Sequence, residues 1–263
     1  KGYKSFIAFT ICFIPLLIGF IIPSIILFYY SLLTFDISFD ISFYKLIINS
    51  FSLSLIASLI TVIAAIVIAS GQRLYGNKFI IFTRISLLGY AFPGAVLALG
   101  IIIPLALIDN YIDKFFISYF NISTGLILSG SIFALLFAYL IRFIAIGYGA
   151  IESGYTSINK NIDMASISLG AGKIFTIKKI HIPLLKSSIL IASIIVFVDT
   201  MKELPATLIL RPFNFDTLAT NVYQLASDEL LEQSSLSALT IVLVGIVPLI
   251  FLTKKISDNK YFS

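Results

Sequence analysis

Long apolar stretches constrain this chain more than any other feature of its sequence. Of its 263 residues, 59% are hydrophobic and 12% are charged, whereas soluble domains average about 25% charged residues. A helix that crosses a membrane needs about 20 predominantly apolar residues. Six segments meet or approach that length, at about residues 5–32, 48–71, 85–108, 122–147, 183–210 and 235–253. The sequence therefore predicts an all-α membrane protein with six transmembrane helices in a single domain, residues 1–263.

The distribution of Lys and Arg predicts how these spans are oriented, because basic residues are enriched in cytoplasmic loops. One face holds Lys1, Lys4, Arg73, Lys78, Arg84, Arg142, Lys160, Lys173, Lys178, Lys179, Lys186, Lys254, Lys255 and Lys260. The other face holds only Lys45, Lys114, Lys202 and Arg211. We expect the first face, and with it both termini, to be cytoplasmic. The net charge of +5 then describes a surface near anionic lipid and no nucleic-acid interface.

Cysteine and histidine are too scarce for several kinds of site. Cys12 and His181 are the single residues of their types, which excludes a disulfide framework and a Cys/His zinc site. We expect His181 to be an interfacial residue at the membrane boundary. The Gly170–Lys173 segment is no phosphate-binding loop, because Ile167 and Ile174 replace the Gly and Ser/Thr that such a loop needs. The sequence therefore supplies no nucleotide site of this kind.

The largest loop on the basic face lies at about residues 148–182. Ser157 or Asn159 can cap a short helix that runs to about Leu169, and Gly170 lets the backbone turn sharply. A second short helix then leads into the fifth span. Its apolar stripe consists of Ile174, Ile177 and Ile180. Periodicity alone leaves two interpretations open: an amphipathic hairpin that rests on the membrane surface, or a hairpin that docks a partner protein.

The fifth span carries three charges that lipid does not tolerate. Asp199, Lys202 and Glu203 precede Pro205, and a charge near the bilayer centre costs about 2.5–3.5 kcal/mol on insertion scales. In a helix the three side chains share one face, with Lys202 offsetting one carboxylate, and Pro205 should break the helix. They either line a hydrated cavity within the membrane or form a buried ion pair that fixes helix packing. Two carboxylates without further oxygen ligands define no metal site.

The loop also carries a spaced motif. Met164-Ala165-Ser166 is followed after three residues by Gly170 and, after nine more, by Ile180-x-Ile182-Pro183. This spacing resembles the EAA loop of binding-protein-dependent ABC importer permeases, in which Glu-Ala-Ala, Gly and Ile-x-Leu-Pro occupy the same positions. Met164 replaces the Glu, and whether Asp163 substitutes for it is open. In that family the loop forms coupling helices that dock on a cytoplasmic ATPase subunit.

The segment from Lys202 to Ala219 narrows the resemblance. It is similar to the segment that follows the EAA loop in ferric-iron-type permeases, particularly in the second of two permease units fused into one chain. Gly89-Tyr-Ala-Phe-Pro-Gly94 and Glu152-Ser-Gly154 also resemble that family. The likeness covers about residues 48–253. It implies that this chain is the C-terminal permease half of a longer fused protein.

The resemblance implies a type I ABC importer permease fold and a non-enzymatic subunit without its own cofactor, ATP being bound by the partner. The implied partners are a cytoplasmic ABC ATPase dimer, a periplasmic or extracellular substrate-binding protein, a second permease unit and the lipid of a bacterial inner membrane. The implied ATPase-coupling residues are Asp163, Met164, Ala165, Gly170, Gly172, Ile180 and Pro183. Residues expected along the translocation path or its gate are Asp199, Lys202, Glu203, Pro205 and Arg211.

Two other functions compete with an iron importer. The permease can serve thiamine, a polyamine or a phosphonate, since selectivity in such importers resides largely in the binding protein. Alternatively, Asp199 and Glu203 are the proton or cation sites of an ion-driven secondary transporter, although that reading does not explain the EAA-like spacing. An intramembrane enzyme finds no catalytic set of residues in the sequence.

Overall fold

The computed structural model describes residues 2–76 and 79–259, and the regular structure in that part of the chain is entirely helical. Lys1, Lys78 and Lys260, counted above on the basic face, lie outside the described residues. The first six helices are α1 (Gly2–Leu33), α2 (Phe35–Ser38), α3 (Ile41–Tyr75), α4 (Ile80–Leu87), α5 (Gly94–Phe120) and α6 (Ile132–Ser157). They are followed by α7 (Lys160–Ser168), α8 (Lys173–Leu184), α9 (Lys186–Met201), α10 (Pro205–Leu210), α11 (Leu218–Ser227) and α12 (Leu231–Asn259).

Within the described residues, five helices are long and apolar enough to cross a membrane. They are α1, α3, α5, α6 and the Leu231–Pro248 part of α12. A sixth crossing exists if α8 and α9, which meet at an angle of 76°, are taken together. These helices confirm the predicted all-α membrane protein, although several predicted boundaries are wrong.

The third span begins at Gly94 instead of near residue 85. Phe92 has an extended backbone with ψ of 139°, because Pro93 excludes the residue before it from the helical region. The preceding helix α4, with a short 3-10 turn from Leu88 to Ala91, is therefore a separate element. At the other end α5 continues to Phe120, where Asn121 turns the chain in the left-handed conformation with φ of 58°.

The fourth span starts at Ile132, so the prediction of a helix from residue 122 is wrong. Residues 122–131 are not helical because two carboxylates from α5 take their backbone N–H groups. Asp109 accepts hydrogen bonds from residues 128 and 129, at 2.9 and 2.8 Å. Asp113 accepts from residues 124 and 125, at 2.7 and 3.1 Å. The helix α6 continues to Ser157, so the predicted loop at 148–182 is shorter than expected.

The fifth span, predicted over residues 183–210 with a break at Pro205, is interrupted at that proline and also near its start. It turns sharply between α8 and α9, ends at Met201, and resumes only at Pro205 with the short helix α10. Proline has no N–H to donate and fits best in the first turn of a helix. The break therefore lies directly before Pro205, with Lys202 and Glu203 inside it.

The described residues cluster into two compact units. One consists of residues 2–49 and 216–247, and the other of residues 50–215 and 248–259. The second unit contains the central helix α6, whose buried Tyr139, Phe143 and Ile151 belong to its two apolar cores. Val196 and Ala192 of α9 complete those cores. The prediction that the chain forms one membrane domain stays a prediction.

Candidate functional site: a helical hairpin and a charged helix break

The loop after α6 folds into the hairpin of α7 and α8. Asn159 caps α7, because its side-chain oxygen accepts a hydrogen bond from the N–H of Asn161 at 2.9 Å. Gly170 makes the turn with φ of +76°, a left-handed conformation that costs other residues about 1–2 kcal/mol. Ser166 and Thr176 then join the two helices through a buried hydrogen bond of 2.7 Å. The hairpin is thus a defined unit held by its own side chains.

One face of the hairpin exposes large apolar side chains. Met164 is 65% exposed, Leu169 87% and Phe175 55%. Between the two helices lies a groove of about 390 Å³. Its lining consists of Ser166, Leu169, Gly170, Ala171, Gly172, Phe175 and Ile180. Clustered exposed apolar residues of this kind mark protein or membrane contacts.

The structure distributes the predicted coupling residues over two sides of the hairpin. Five of them are exposed, one is half-buried, and one points inward. The exposed ones are Met164, Ala165, Gly170, Gly172 and Pro183, and the half-buried one is Ile180. Asp163 is the exception, since only 13% of its side chain is exposed.

Asp163 uses both carboxylate oxygens for contacts within the chain. Oδ2 lies 2.7 Å from Nε of Arg73 at the end of α3, and Oδ1 lies 2.8 Å from Nε2 of His181. Burial raises the pKa of Asp163, but the hydrogen bonds from His181 and Arg73 outweigh that effect and hold it below its usual value. Asp163 therefore stays ionised. It holds the buried side of the hairpin through its contacts with Arg73 and His181.

His181 contradicts the expectation of an interfacial residue, because none of its surface is exposed. Its Nδ1 lies 3.1 Å from the hydroxyl of Tyr155, whose oxygen in turn lies 2.8 Å from the hydroxyl of Ser70. The phenol and imidazole rings meet edge-on, with planes at 89°. Burial of a polar ring requires such partners. The presence of one histidine in an apolar sequence could have indicated a buried polar network. Its position beside Pro183 instead led to the prediction that it lies at the membrane boundary.

The charged break after α9 contains two separate ion pairs instead of the shared face that was predicted. Lys202 Nζ lies 2.8 Å from Asp199 Oδ1, and 62% of the lysine side chain is exposed. Glu203 turns away from that pair and is 7% exposed. Because the helix ends at Met201, the helical spacing that would have aligned the three side chains does not extend to Glu203.

Glu203 pairs with Arg142 of α6, a residue that the sequence analysis assigned to the basic cytoplasmic face. Its Oε2 lies 3.2 Å from Nε of Arg142, and its Oε1 accepts a hydrogen bond from the N–H of Ala206 at 3.1 Å. Arg142 also donates Nη1 to the carbonyl of Phe92, at 3.0 Å. The arginine therefore lies inside the helix bundle. An isolated Arg within an apolar stretch could have indicated a buried charge. Because the fourth span was predicted at 122–147 instead of 132–157, Arg142 was assigned to the cytoplasmic end of the helix.

The break before α5 meets this ion pair. A Cβ atom at Gly94 would lie 2.8 Å from Oε1 of Glu203 and 3.2 Å from Nη1 of Arg142, closer than side chains normally approach. The two interruptions, at Pro93 and before Pro205, are thus brought together around one ion pair. Arg211 is half-buried and directly follows α10.

The contacts of these groups limit the chemistry they can do. Among the described residues, no group of three or more His, Cys, Asp or Glu side chains is placed to hold a metal ion. Asp199 and Glu203 each face a basic side chain. The arrangement supplies an exposed apolar surface on the hairpin and paired charges near the helix break.

Solved structures of high similarity share this arrangement of helices. A chain of a bacterial alginate ABC transporter, crystallised with an alginate pentasaccharide-bound periplasmic protein, aligns with a TM-score of 0.73 over 95% of this chain and 92% of its own length, at 14% identity. A chain of a bacterial ABC transporter that imports alginate aligns with a TM-score of 0.71 over 96% of this chain and 94% of its own, at 15% identity. This chain has the fold of an ABC importer permease.

Relatives found by sequence point in the same direction. The Fe(3+)-transport system permease protein FbpB 2 of Haemophilus influenzae is 27% identical over 208 residues, which cover 79% of this chain and 38% of that protein. The ferric transport system permease protein FbpB of Actinobacillus pleuropneumoniae is 25% identical over 211 residues, or 80% of this chain and 30% of that protein. No family model matches the chain.

These relatives confirm the resemblance to ferric-type importer permeases that the sequence motifs indicated. The chain spans less than half of the length of either relative.

Proposed function

We propose that this chain is a transmembrane permease subunit of an ATP-driven ABC importer for ferric iron and forms half of its translocation pathway. The observation that carries the proposal is the apolar, exposed face of the α7–α8 hairpin, built on the EAA-like spacing. Leu169 and Phe175 flank its groove. Such a face requires a protein partner or lipid to cover it. The permease fold favours an ATPase subunit as that partner.

Coupling follows from the geometry of the hairpin. ATP binding on a cytoplasmic ATPase dimer draws the hairpins of two permease units together. The hairpin moves as one body, because Ser166 binds Thr176 across it and Asp163 binds His181. Small shifts of a packed, rigid element can be amplified into rotation of the helices attached to it. The chain itself then needs no nucleotide site, and ATP hydrolysis belongs to the partner subunit.

The charged break is proposed as part of the gate of the pathway. Glu203, Arg142 and Gly94 bring together the interruptions of two helices. Non-helical backbone at membrane depth is tolerated where it is buried in protein or lines water. Breaking the buried ion pair between Glu203 and Arg142 lets α10 move relative to α6. The pairing of both carboxylates with basic groups weighs against their use as proton or cation sites of a secondary transporter.

Ferric iron is the proposed substrate because the two named relatives carry ferric transport in their names. A periplasmic or extracellular binding protein delivers the ion to the face opposite the hairpin, and a second permease unit completes the pathway. The membrane is the bacterial inner membrane, with the hairpin and both termini in the cytoplasm. If the importer takes up thiamine, a polyamine or a phosphonate instead, the proposed substrate changes to that compound.

The docking surface is tested by placing a charge on it. Phe175→Asp should abolish co-purification of the permease with its ATPase subunit, because an ionised carboxylate in an apolar contact is strongly unfavourable. Phe213→Asp is the matched control, since Phe213 is 95% exposed and lies after α10, away from the hairpin in sequence. Retained ATPase binding by Phe175→Asp contradicts the proposal. Loss of binding by both variants also contradicts it, because the effect is then not specific to the hairpin.

A further inference from the structure

Arg73, at the end of α3, contacts three residues from two other segments of the chain. Its Nε lies 2.7 Å from Asp163 of α7. Its Nη1 and Nη2 donate to the carbonyl oxygens of Tyr155 and Ile158, at 3.1 and 2.9 Å. These carbonyls belong to the C-terminal end of α6, where a positive charge is favourable and unpaired carbonyls need donors. One guanidinium therefore joins α3 to the end of α6 and to the hairpin.

A second contact joins α3 to the other helix of the hairpin. The Nζ atom of Lys173, the first residue of α8, lies 3.8 Å from the centroid of the Tyr75 ring. This distance is typical of a cation–π interaction. Since Arg73 holds α7 and Tyr75 holds α8, the last two turns of α3 contact both halves of the hairpin.

The buried network behind the hairpin returns to the same helix. His181 of α8 binds Asp163, and its other ring nitrogen faces the hydroxyl of Tyr155. That hydroxyl binds Ser70 of α3. The network therefore begins and ends on α3. It runs from Ser70 through Tyr155 and His181 to Asp163, which contacts Arg73. It leaves neither oxygen of Asp163 available to an outside partner.

The hairpin is also connected to the membrane helices directly along the chain, through α9, but this connection is not continuous. The chain passes from α8 into α9 through a bend of 76°, and the break at Lys202 and Glu203 interrupts the path beyond α9. By contrast, α3 is one uninterrupted helix of 35 residues. A continuous helix transmits a displacement along its axis better than two segments joined at a bend, because its backbone hydrogen bonds run through its whole length.

We infer that α3 is a principal carrier of the hairpin's movement into the membrane and that Arg73 is the positioning residue that attaches the hairpin to it. This inference rests on the proposed function, since it concerns how ATP-driven motion reaches the pathway. Arg73 does not belong to the docking surface, as only 11% of its side chain is exposed. Its loss should therefore uncouple transport from ATP hydrolysis while the ATPase still binds.

The test compares Arg73→Gln with Arg84→Gln in the complete importer, reconstituted in liposomes with its ATPase and binding protein. Arg84 is an exposed arginine of α4 and serves as the matched control. The measured quantities are ATPase association, ATP hydrolysis, and ferric ions taken up per ATP hydrolysed. Arg73→Gln should retain association and lower the uptake ratio by about tenfold or more. Arg73→Lys, which keeps the charge for Asp163, should restore part of the ratio.

Two results overturn the inference. One is an unchanged uptake ratio in Arg73→Gln, and the other is loss of ATPase association in that variant, which would make the residue merely structural. If Arg73→Gln does not fold, Tyr75→Leu replaces it, because that change removes the contact with Lys173 and otherwise only a ring contact with Phe79 outside the hairpin. An unchanged ratio in Tyr75→Leu then overturns the inference. Absence of ATP-dependent uptake by the wild type is a different outcome, since it contradicts the proposed function itself.

Discussion

Glu203 and Arg142 form an ion pair between the break before α10 and the middle of α6, with Oε2 and Nε 3.2 Å apart. Both groups are largely shielded from solvent, and the pair is completed by the backbone of Ala206 and Phe92. Removing one partner from a buried pair leaves an uncompensated charge, which costs more than the pair itself contributes. The pair is therefore the point at which the break in the fifth span is most sensitive to substitution.

We expect Glu203→Gln to lower the free energy of unfolding by about 3–5 kcal/mol. Asp199→Asn should change it by about 1 kcal/mol or less, because exposed ion pairs contribute little and Lys202 is exposed. The measurement is thermal unfolding of the detergent-solubilised protein, followed by circular dichroism. Equal effects of the two substitutions would show that Glu203 is no more important than Asp199.

Gly94→Ala should disturb the same ion pair from the side of α5. The added methyl group would lie 2.8 Å from Oε1 of Glu203, so the carboxylate must move from its position or α5 must shift. We expect a loss of about 1–3 kcal/mol, typical of overpacking. Gly100→Ala is the control on the same helix, because a Cβ there meets nothing within 4 Å. A loss of stability in Gly100→Ala as large as that in Gly94→Ala contradicts this account.

The turn of the hairpin predicts different outcomes for two neighbouring glycines. Gly170 has φ of +76°, so Gly170→Ala should destabilise the turn by about 1–2 kcal/mol and weaken ATPase association. Gly172 has φ of −70° and open space around it, so Gly172→Ala should leave the stability of the turn unchanged. The two variants are compared by heating each detergent-solubilised complex to increasing temperatures and measuring how much ATPase still co-purifies. A neutral Gly170→Ala would mean that the turn geometry is not required.

The lowered pKa of Asp163 predicts how the hairpin responds to acid. A carboxylate whose folded pKa is depressed stabilises the protein above its unfolded pKa, which is about 3.9. That contribution is lost as the pH falls through the lower folded value. The difference in unfolding temperature between the wild type and Asp163→Asn should therefore be present at about pH 5 and narrow below about pH 4. A difference that is constant down to the acid end would contradict the ion pairing of Asp163.

Apolar length was sufficient to predict the helical membrane fold, but side-chain capping decided where the helices end. Residues 122–131 are apolar enough to extend the fourth span. They remain non-helical because Asp109 and Asp113, more than ten residues earlier, bind their backbone N–H groups. Contacts at that separation leave no periodic signal in the sequence.

Proline gave better local predictions than hydropathy. Pro205 marked the break of the fifth span, where the structure ends one helix at Met201 and starts another. Pro93 precedes the start of α5, but the predicted third span ran across it. Both residues act through fixed geometry and a missing N–H, which is a local effect that sequence reasoning can use.

The sequence predicted the hairpin of the candidate site but not the side-chain pairings that hold it in place. The spacing from Met164 to Pro183 identified the hairpin, and Asn159 was one of two candidates for its cap. The partners of Asp163 and Glu203, by contrast, are Arg73, His181 and Arg142, which come from other segments. Pairings between distant segments depend on how helices pack, and a single sequence does not record them.

The most direct test of the account is uptake of radioactive ferric iron into liposomes that contain the complete importer. We predict uptake that requires ATP, the ATPase subunit and the binding protein together, and that stops when any one of them is omitted. Uptake that a proton gradient supports without ATP would contradict the account and favour a secondary transporter.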